Sequence, residues 1–374
     1  MTLKEAALAQ RDAYLITLRA LTELESPTSD KEANDTLADY LEALLKNDGW
    51  QLERVPQSEV GDQLIARYDV PGDSSSLLLC HFDTVWPVGT LGKMPLREES
   101  DRFFGPGTLD MKAGITTAVH ALRLVRELNL TLRGPVTLLL TSDEEKGSHY
   151  SRDLIESLAQ EHDRVLVLEP GREDGAIKVA RKGTGDFEVK FTGISAHAGN
   201  NPADGASALR ELAHFLLFAE GLNNGEQGTT VNVTVASGGS ATNVIAEEAS
   251  CRVDMRALYL AEAERVEAAI GGYQAEDDRI QVEVKGGLNR PPLERTEANR
   301  QFYRELEAAA EALELSFEAA TVGGGSDGNF TSALGIPTLD GLGSTGEGPH
   351  ARHEHIRITE TLERLALVTA LLTS

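Results

Sequence analysis

The hydrophobic pattern of this chain changes its period near residue 178, and this limits the fold to two kinds of sheet. Before that point, short apolar runs at residues 64–70, 77–80, 136–140 and 165–168 alternate with helical patterns. Short buried strands separated by helices are typical of a largely parallel sheet with both faces covered. After that point, apolar and polar residues alternate, which is typical of an antiparallel sheet with one wet face.

The period-two segment contains four candidate strands, one of which places three valines of residues 231–235 on a single face. Helical patterns at residues 206–218 and 261–270 lie between the first and second strands and between the third and fourth. The order β-α-β-β-α-β is that of a ferredoxin-like sandwich. The sequence therefore predicts an α+β domain in this segment.

Turn residues mark the end of this segment, because Gly286-Gly287 and Pro291-Pro292 interrupt the strand pattern. The patterns before and after it belong to the larger α/β part of the chain. We therefore expect an α/β protein whose mostly parallel-sheet domain comprises residues 1–177 and 289–374, with the ferredoxin-like domain inserted over residues 178–288.

The charge balance excludes two classes of partner. The chain has 374 residues, with 35 Lys and Arg against 60 Asp and Glu, so its formal net charge is −25. Nucleic acid and anionic membrane surfaces both require clustered basic residues.

No apolar run approaches the ~18 residues of a membrane span. Two cysteines do not form a disulfide framework, so we expect a cytoplasmic protein.

Histidine and carboxylate side chains follow the predicted strands of the larger domain. His81 comes directly after the run at residues 77–80, Glu144 and Glu145 follow the next run, and Glu169 follows the last. Asp110 lies between a glycine-rich turn and a helix. Ligands of open α/β sheets bind outside the carboxyl ends of strands, and carboxylates converge there only around a cation. The pattern predicts a divalent metal, Zn²⁺ first, with Mn²⁺ or Co²⁺ as alternatives.

Seven stretches of the chain together resemble the M20 family of metallopeptidases, and its glutamate carboxypeptidase branch in particular. They occur in the family's order across nearly the whole chain, and their sequences are LLLCHFDTV, GPGTLDMKAG, TSDEEKGS, LEPG, GISAHAGNNPADGASA, TVGGGSDGNF and GEGPHARHEHI. The resemblance implies a di-zinc catalytic domain with an inserted dimerisation domain, and therefore a homodimer.

The resemblance also implies a ligand set for two zinc ions in each subunit. Asp110 would bridge the ions, His81 and Glu169 would complete one site, and Glu145 and His350 would complete the other. Two cations that share an anionic ligand can hold an attacking water and a substrate carbonyl together.

The resemblance also implies roles for residues close to these ligands in the sequence, and it selects one histidine among three. Asp83 would accept the second N–H of the His81 imidazole and fix its tautomer. Glu144 would act as the general base. His353 and His355 are close rivals of His350, but the family's spacing His-x-x-x-Glu matches His350 with Glu354.

Four residues outside the ligand set are implied to contact the substrate. His197 would polarise the scissile carbonyl, in the family often from the partner subunit. Asn243 and Arg256 would hold the carbonyl and the free carboxylate of the substrate, and Gly324 would allow its close approach. Arg256 could instead pair with Asp254 or another acid on that surface.

Two alternative interpretations of the sequence remain open. Residues 324–328 fit the G-x-S-x-G pattern of serine hydrolases, with Ser326 as nucleophile and Asp340 and His350 following in the expected order. A metal-binding protein without catalysis is the second alternative, although a ligand set alone would not require Glu144.

The expected function is metal-dependent hydrolysis of an amide or peptide bond that releases a C-terminal, glutamate-like amino acid from an N-acyl or peptidyl group. The substrate would be a small amide or a short peptide. The runner-up retains the chemistry but changes the substrate, to that of an acetylornithine deacetylase, a succinyl-diaminopimelate desuccinylase or a dipeptidase.

Overall fold

The computed structural model of the chain describes residues 1–373, which form two compact units. The first unit comprises Met1–Val179, Arg295–Thr321 and the residues from Ser326 onward, and the second comprises Ala180–Glu294 and Val322–Gly325.

The helices of the described residues occur in both units. They are α1 (Leu3–Ala9), α2 (Arg11–Glu23), α3 (Lys31–Asn47), α4 (Ala113–Glu127), α5 (Arg152–Gln160), α6 (Ala208–Glu220), α7 (Leu260–Gly271), α8 (Glu297–Ala312), α9 (Gly328–Ala333) and α10 (Ile358–Leu372). Within residues 1–373, none of them combines the length and the apolar character that crossing a membrane requires.

The strands of the described residues form three larger sheets and one pair. They are β1 (Gln51–Val55), β2 (Gln63–Tyr68), β3 (Ser76–His81), β4 (Arg97–Glu99), β5 (Arg102–Phe104), β6 (Val136–Thr141), β7 (Arg164–Val167), β8 (Ile177–Arg181), β9 (Gly183–Thr192), β10 (Thr230–Gly238), β11 (Glu248–Ala257), β12 (Gln281–Arg290), β13 (Ala319–Val322), β14 (Thr338–Leu339), β15 (Gly346–Glu347) and β16 (His355–Arg357).

The central sheet of the first unit has six strands in the order β1-β2-β6-β3-β7-β14. Its pairs β6–β3, β3–β7 and β7–β14 are parallel, which confirms the expected α/β class with a mostly parallel sheet. β2 differs from the expectation, because it pairs antiparallel with both of its neighbours. Its apolar run does not distinguish the two directions, since a buried strand looks the same in either.

The inner strands of this sheet are buried along their whole length because helices cover both faces. Every residue of β3, β6 and β7 is buried. Leu78 and Leu138 pack into the large cluster that α4 and α10 also line, whereas Leu77 and Leu139 point to the other face and pack against Ile155 of α5. Burial on both faces explains why these strands read as continuous apolar runs.

The second unit contains a four-stranded antiparallel sheet in the order β10-β11-β9-β12, and α6 and α7 pack against one face. Along the chain its elements follow the order β9, α6, β10, β11, α7, β12. Period-two burial is regular in β9 but not in β10, where the register shifts between Val233 and Val235. This bulge leaves Val235 56% exposed, so one of the three valines misses the core.

Candidate metal centre

Three adjacent parallel strands deliver acidic and histidine side chains to the same edge of the central sheet. β3 lies between β6 and β7 and ends at His81. β6 leads into the turn that carries Glu144 and Glu145, and β7 leads to Glu169. Because parallel strands end at the same edge of a sheet, these residues all lie at that edge.

Asp110 and His350 come from loops rather than from strand ends. Asp110 lies in a single wide helical turn, Thr108–Lys112, directly before α4. His350 lies between β15 and β16 with a φ of 60°, in the left-handed region that residues other than glycine rarely adopt. Asp110 Oδ1 is 3.3 Å from His81 Nε2, and Asp110 Oδ2 is 3.4 Å from His350 Nε2.

These residues form two groups that share the Asp110 carboxylate. In the first group, His81 Nε2 lies 3.3 Å from Glu169 Oε1. In the second group, His350 Nε2 lies 3.2 Å from Glu145 Oε2. Within each group the ligand atoms all lie within 4.8 Å of one another, which is close enough for one ion to contact all three.

The imidazole of His81 is oriented as a metal ligand requires. Its Nδ1 is 3.0 Å from the backbone carbonyl of Asp83 and 3.3 Å from the Asp83 carboxylate. Both of these groups can only accept, so Nδ1 carries the proton and Nε2 faces Asp110 and Glu169. A neutral imidazole would then direct a lone pair at two carboxylates, which requires a cation or a proton between them.

The raised pKa values of the two histidines also indicate that this centre favours positive charge. Burial lowers the pKa of His81, but hydrogen bonds to Asp110, Asp83 and Glu169 outweigh burial and hold that pKa well above its usual value. Hydrogen bonds to Asp110 and Glu145 raise the pKa of His350 to about 11. In both cases the surrounding carboxylates favour positive charge at the imidazole.

A buried oxygen at this centre also indicates a cation. Glu145 Oε1 is buried and accepts no hydrogen bond from any residue among 1–373. A buried carboxylate oxygen without a donor is costly unless a cation compensates it. Two histidines and three carboxylates form a donor set that suits Zn²⁺, Co²⁺ or Mn²⁺, so the residues present fit a divalent metal.

Asp83 connects His81 to the turn that carries the two glutamates. Its carboxylate accepts from Thr28 Oγ1 at 2.7 Å and from the backbone N–H groups of Glu144 and Glu145 at 3.2 Å each. The nearest acceptor for the imidazole of His81 is the backbone carbonyl of Asp83, and the Asp83 carboxylate lies slightly farther from Nδ1. The contact with Thr28 had no signal in the sequence, because 55 residues separate the two.

Glu354 is the residue whose contacts the sequence analysis missed. It entered only as part of the spacing that selected His350, yet its side chain is 1% exposed and contacts the turn that contains Asp110. Burial raises the pKa of Glu354 to about 7, against the effect of the backbone N–H groups that it accepts from.

The remaining predicted site residues lie in the second unit. His197 is exposed, and its Nδ1 accepts from the backbone N–H groups of Gly199 and Asn200. Asn243 lies beside it, because its carbonyl accepts from the N–H of Ala198 at 2.9 Å.

Arg256 pairs with its own strand neighbour, the alternative that the sequence analysis left open. Its Nη2 lies 2.8 Å from Asp254 Oδ2, and its Nε lies 3.1 Å from Asp254 Oδ1. The carbonyl of Gly324 accepts from Arg181 at 3.2 Å, and a Cβ added at Gly324 would meet no atom within 4 Å.

The alternative nucleophile, Ser326, is completely buried. Its hydroxyl donates to Asp340 and accepts from the N–H of Gly328. The serine of a hydrolase must be accessible to substrate, so this environment disfavours the alternative. The rival ligand His355 is buried too, and its Nδ1 donates to the carbonyl of His353.

Two glycines allow the backbone before Glu169 to approach its neighbours closely. A Cβ on Gly343 would lie 1.8 Å from the Leu168 carbonyl oxygen, and one on Gly114 would lie 2.0 Å from the same oxygen. The N–H of Gly343 donates to the Glu169 carbonyl at 3.0 Å. The position of Glu169 therefore depends on the absence of side chains at both positions.

Comparison with known proteins identifies the family. Residues 77–374 match the model of peptidase family M20/M25/M40. Carboxypeptidase G2 of Pseudomonas sp. (strain RS-16) is 31% identical over 384 aligned residues, which cover 98% of this chain and 90% of that protein. Acetylornithine deacetylase of Myxococcus xanthus is 32% identical over 270 residues, which cover 67% of this chain and 69% of that one.

Solved structures show the same fold. Aminopeptidase PepT of Bacillus cereus has a TM-score of 0.80 at 21% identity, with 97% of this chain and 98% of that chain covered. The match to the family model spans most of the chain, and the two sequence relatives are a carboxypeptidase and a deacetylase. This chain therefore belongs to peptidase family M20/M25/M40 and is a hydrolytic enzyme.

Proposed function

We propose that this enzyme is a di-zinc amidohydrolase that releases a C-terminal, glutamate-like amino acid from an N-acyl or peptidyl group. The observation that carries the proposal is the sharing of Asp110 by two ligand groups, one of its oxygens facing His81 and the other facing His350. A carboxylate that presents one oxygen to each of two sites is the ligand that a pair of dications requires.

The proposed ligands are His81 and Glu169 at one ion, Glu145 and His350 at the other, and Asp110 at both. When bound, the zinc ions would supply Lewis acidity that polarises the scissile carbonyl and lowers the pKa of the attacking water. Co²⁺ or Mn²⁺ would serve the same purpose.

Glu144 is proposed to move the proton. Its backbone N–H donates to the Asp83 carboxylate at 3.2 Å, as does the N–H of Glu145. The same carboxylate therefore holds the turn from which both glutamate side chains extend. The Glu144 carboxylate would accept a proton from the attacking water and donate it to the leaving nitrogen.

The leaving group is proposed to be acidic because the chain resembles the glutamate carboxypeptidase branch, and its similarity to carboxypeptidase G2 extends over 98% of its length. The net charge of −25 opposes an acidic substrate at long range. Exposed charges are screened beyond about 8–10 Å at physiological ionic strength, so nearby cations decide the local preference. We propose that Arg256 binds the free carboxylate of the substrate and gives up its ion pair with Asp254 when it does so.

A second candidate function is N-acyl-amino-acid deacylation or dipeptide hydrolysis. It is favoured by the similarity to acetylornithine deacetylase, which reaches 32% identity over a shorter part of the chain. The proposed metal ligands and Glu144 would serve either reaction, and the substrate pocket would distinguish them.

The second unit is proposed to be the dimerisation domain, with boundaries near residues 178 and 288. His197 would polarise the scissile carbonyl in the partner subunit, and Asn243 and Gly324 would contact the substrate. If ultracentrifugation showed the fully active enzyme to be a monomer, the proposed role of His197 in the partner subunit would be contradicted. Both cysteines are free and buried, which supports a cytoplasmic location for the protein.

A hydrolysis panel on metal-quantified enzyme tests the proposal. N-acyl-glutamates and folate-like conjugates should be cleaved with the highest kcat/KM, ahead of acetylornithine and dipeptides. The enzyme should contain two zinc ions per subunit, and chelation should abolish the activity. A preference for acetylornithine would favour the second candidate, and activity that survives complete metal removal would contradict both.

A further inference from the structure

The turn that carries Asp110 departs from helical backbone geometry at its centre. Asp110 and Met111 have non-helical backbone angles, with φ, ψ of −115°, 96° and −132°, 37°. Their position before α4 therefore does not follow from helix formation alone. Another group has to hold the N–H of Asp110 if its carboxylate is to face both ligand groups.

Glu354 supplies that group from the far end of the chain. Its Oε1 accepts from the backbone N–H of Leu109 at 3.0 Å and from that of Asp110 at 3.1 Å. Its Oε2 accepts from the N–H of Gly107 at 3.0 Å and from Trp86 Nε1 at 2.7 Å. One buried carboxylate thus satisfies four donors: two N–H groups of the turn, the N–H of Gly107 directly before it, and Trp86 Nε1.

We propose that Glu354 is a positioning residue that sets the Asp110 carboxylate between the two metal sites. Glu354 is not among the proposed metal ligands, and it acts on the metals through the backbone of Asp110. This inference rests on the proposed di-zinc centre. Because Asp110 is shared, loss of Glu354 should weaken both metal-binding steps, whereas loss of a ligand that serves one site should weaken mainly one.

Glu354→Gln tests the proposal with little change in side-chain volume. The amide retains one acceptor oxygen but places an NH₂ group against two of the four donors, either Leu109 and Asp110 or Gly107 and Trp86. Removing the partner that orients a metal ligand typically costs 10–100-fold in affinity. We expect zinc affinity, measured by competition with a fluorescent chelator, to fall by about this factor at both steps.

Glu211→Gln is the matched control. Glu211 is also fully buried, and its Oε1 accepts from Tyr273 Oη at 2.7 Å and from the N–H of Glu276 at 3.1 Å. It lies in the second unit, so the same substitution removes a buried carboxylate without affecting the turn at Asp110. Zinc affinity of the folded Glu211→Gln protein should equal that of the wild type.

Trp86→Phe provides a second measurement if Glu354→Gln does not fold. It removes one of the four donors and leaves the carboxylate in place, so zinc affinity should fall at both steps by less than about 10-fold, and an unchanged affinity would overturn the positioning role. Near-ultraviolet circular dichroism of the metal-free proteins establishes folding independently of metal and substrate.

The outcomes separate this inference from the proposed function. A wild type that binds two zinc ions, together with a folded Glu354→Gln that binds them with unchanged affinity, would overturn the positioning role alone. Weakening of a single step would contradict action through the shared Asp110. If the wild type bound no zinc, the proposed metal centre would fail, and the positioning role would fail with it.

Discussion

Replacing Gly343 with alanine should impair the metal centre although no proposed metal ligand is substituted. The new Cβ would lie 1.8 Å from the Leu168 carbonyl oxygen and 2.8 Å from the Cα of Gly114, whereas real Cβ contacts essentially never fall below 3.0 Å. The backbone before Glu169 would therefore have to move by about 1.2 Å, because both close neighbours are main-chain atoms that cannot rotate away. A misplacement of ~1 Å can cost about 10²-fold in rate.

The assay combines kcat/KM on the best substrate of the panel with zinc affinity and urea unfolding. We expect Gly343→Ala to lower kcat/KM by about 10²-fold, with a loss of about 1–3 kcal/mol in the free energy of unfolding from overpacking. Gly271→Ala is the control, because a Cβ there meets nothing within 4 Å. A folded Gly343→Ala enzyme with wild-type kcat/KM and zinc affinity would refute the claim that this close approach places Glu169.

Three further predictions concern the base, the metal and a buried histidine. Glu144→Ala should retain both metals but lose about 10²–10⁴-fold in kcat, and unchanged turnover would contradict the assigned base. Chelation should lower Tm by about 10 °C, because two ions at ~1,000 times their Kd together contribute about 8 kcal/mol and a chain of this size loses about 0.8 kcal/mol of stability per degree near Tm. Burial lowers the pKa of His120 to about 3. Its contribution to stability is therefore complete above the unfolded pKa of ~6.5 and declines as the pH falls towards 3, by about 2 kcal/mol between pH 7 and 5. His120→Gln should reduce the pH dependence of urea unfolding by that amount, and an identical slope in metal-free wild type and variant would contradict a neutral buried His120.

Much of the fold can be predicted from local periodicity. The continuous apolar runs of β3, β6 and β7 predict strands covered on both faces, and the alternation in β9 predicts one covered face. Strand direction and bulges could not be predicted this way. β2 is antiparallel and Val235 lies outside the core, because pairing partners and register are set by residues distant in sequence.

The candidate site shows the same division. His81, Glu145 and Glu169 could be recognised as candidate ligands because each follows a strand, and parallel strands bring their carboxyl ends to a common edge. The local sequence named further contacts without deciding their form. Asp83 presents its backbone carbonyl as well as its carboxylate to His81, and Arg256 pairs with Asp254, one of the partners that its sequence allowed.

The amino-acid sequence by itself determined the two kinds of sheet, the family and the chemistry of the donor set, because periodicity and short motifs are local properties. Only the tertiary structure decided how those donors are held. Glu354 reaches the N–H of Asp110 across 244 residues, and Leu168 packs against glycines from two separate segments. Such contacts arise when distant parts of the chain meet in one core, and no pattern within a few residues specifies them.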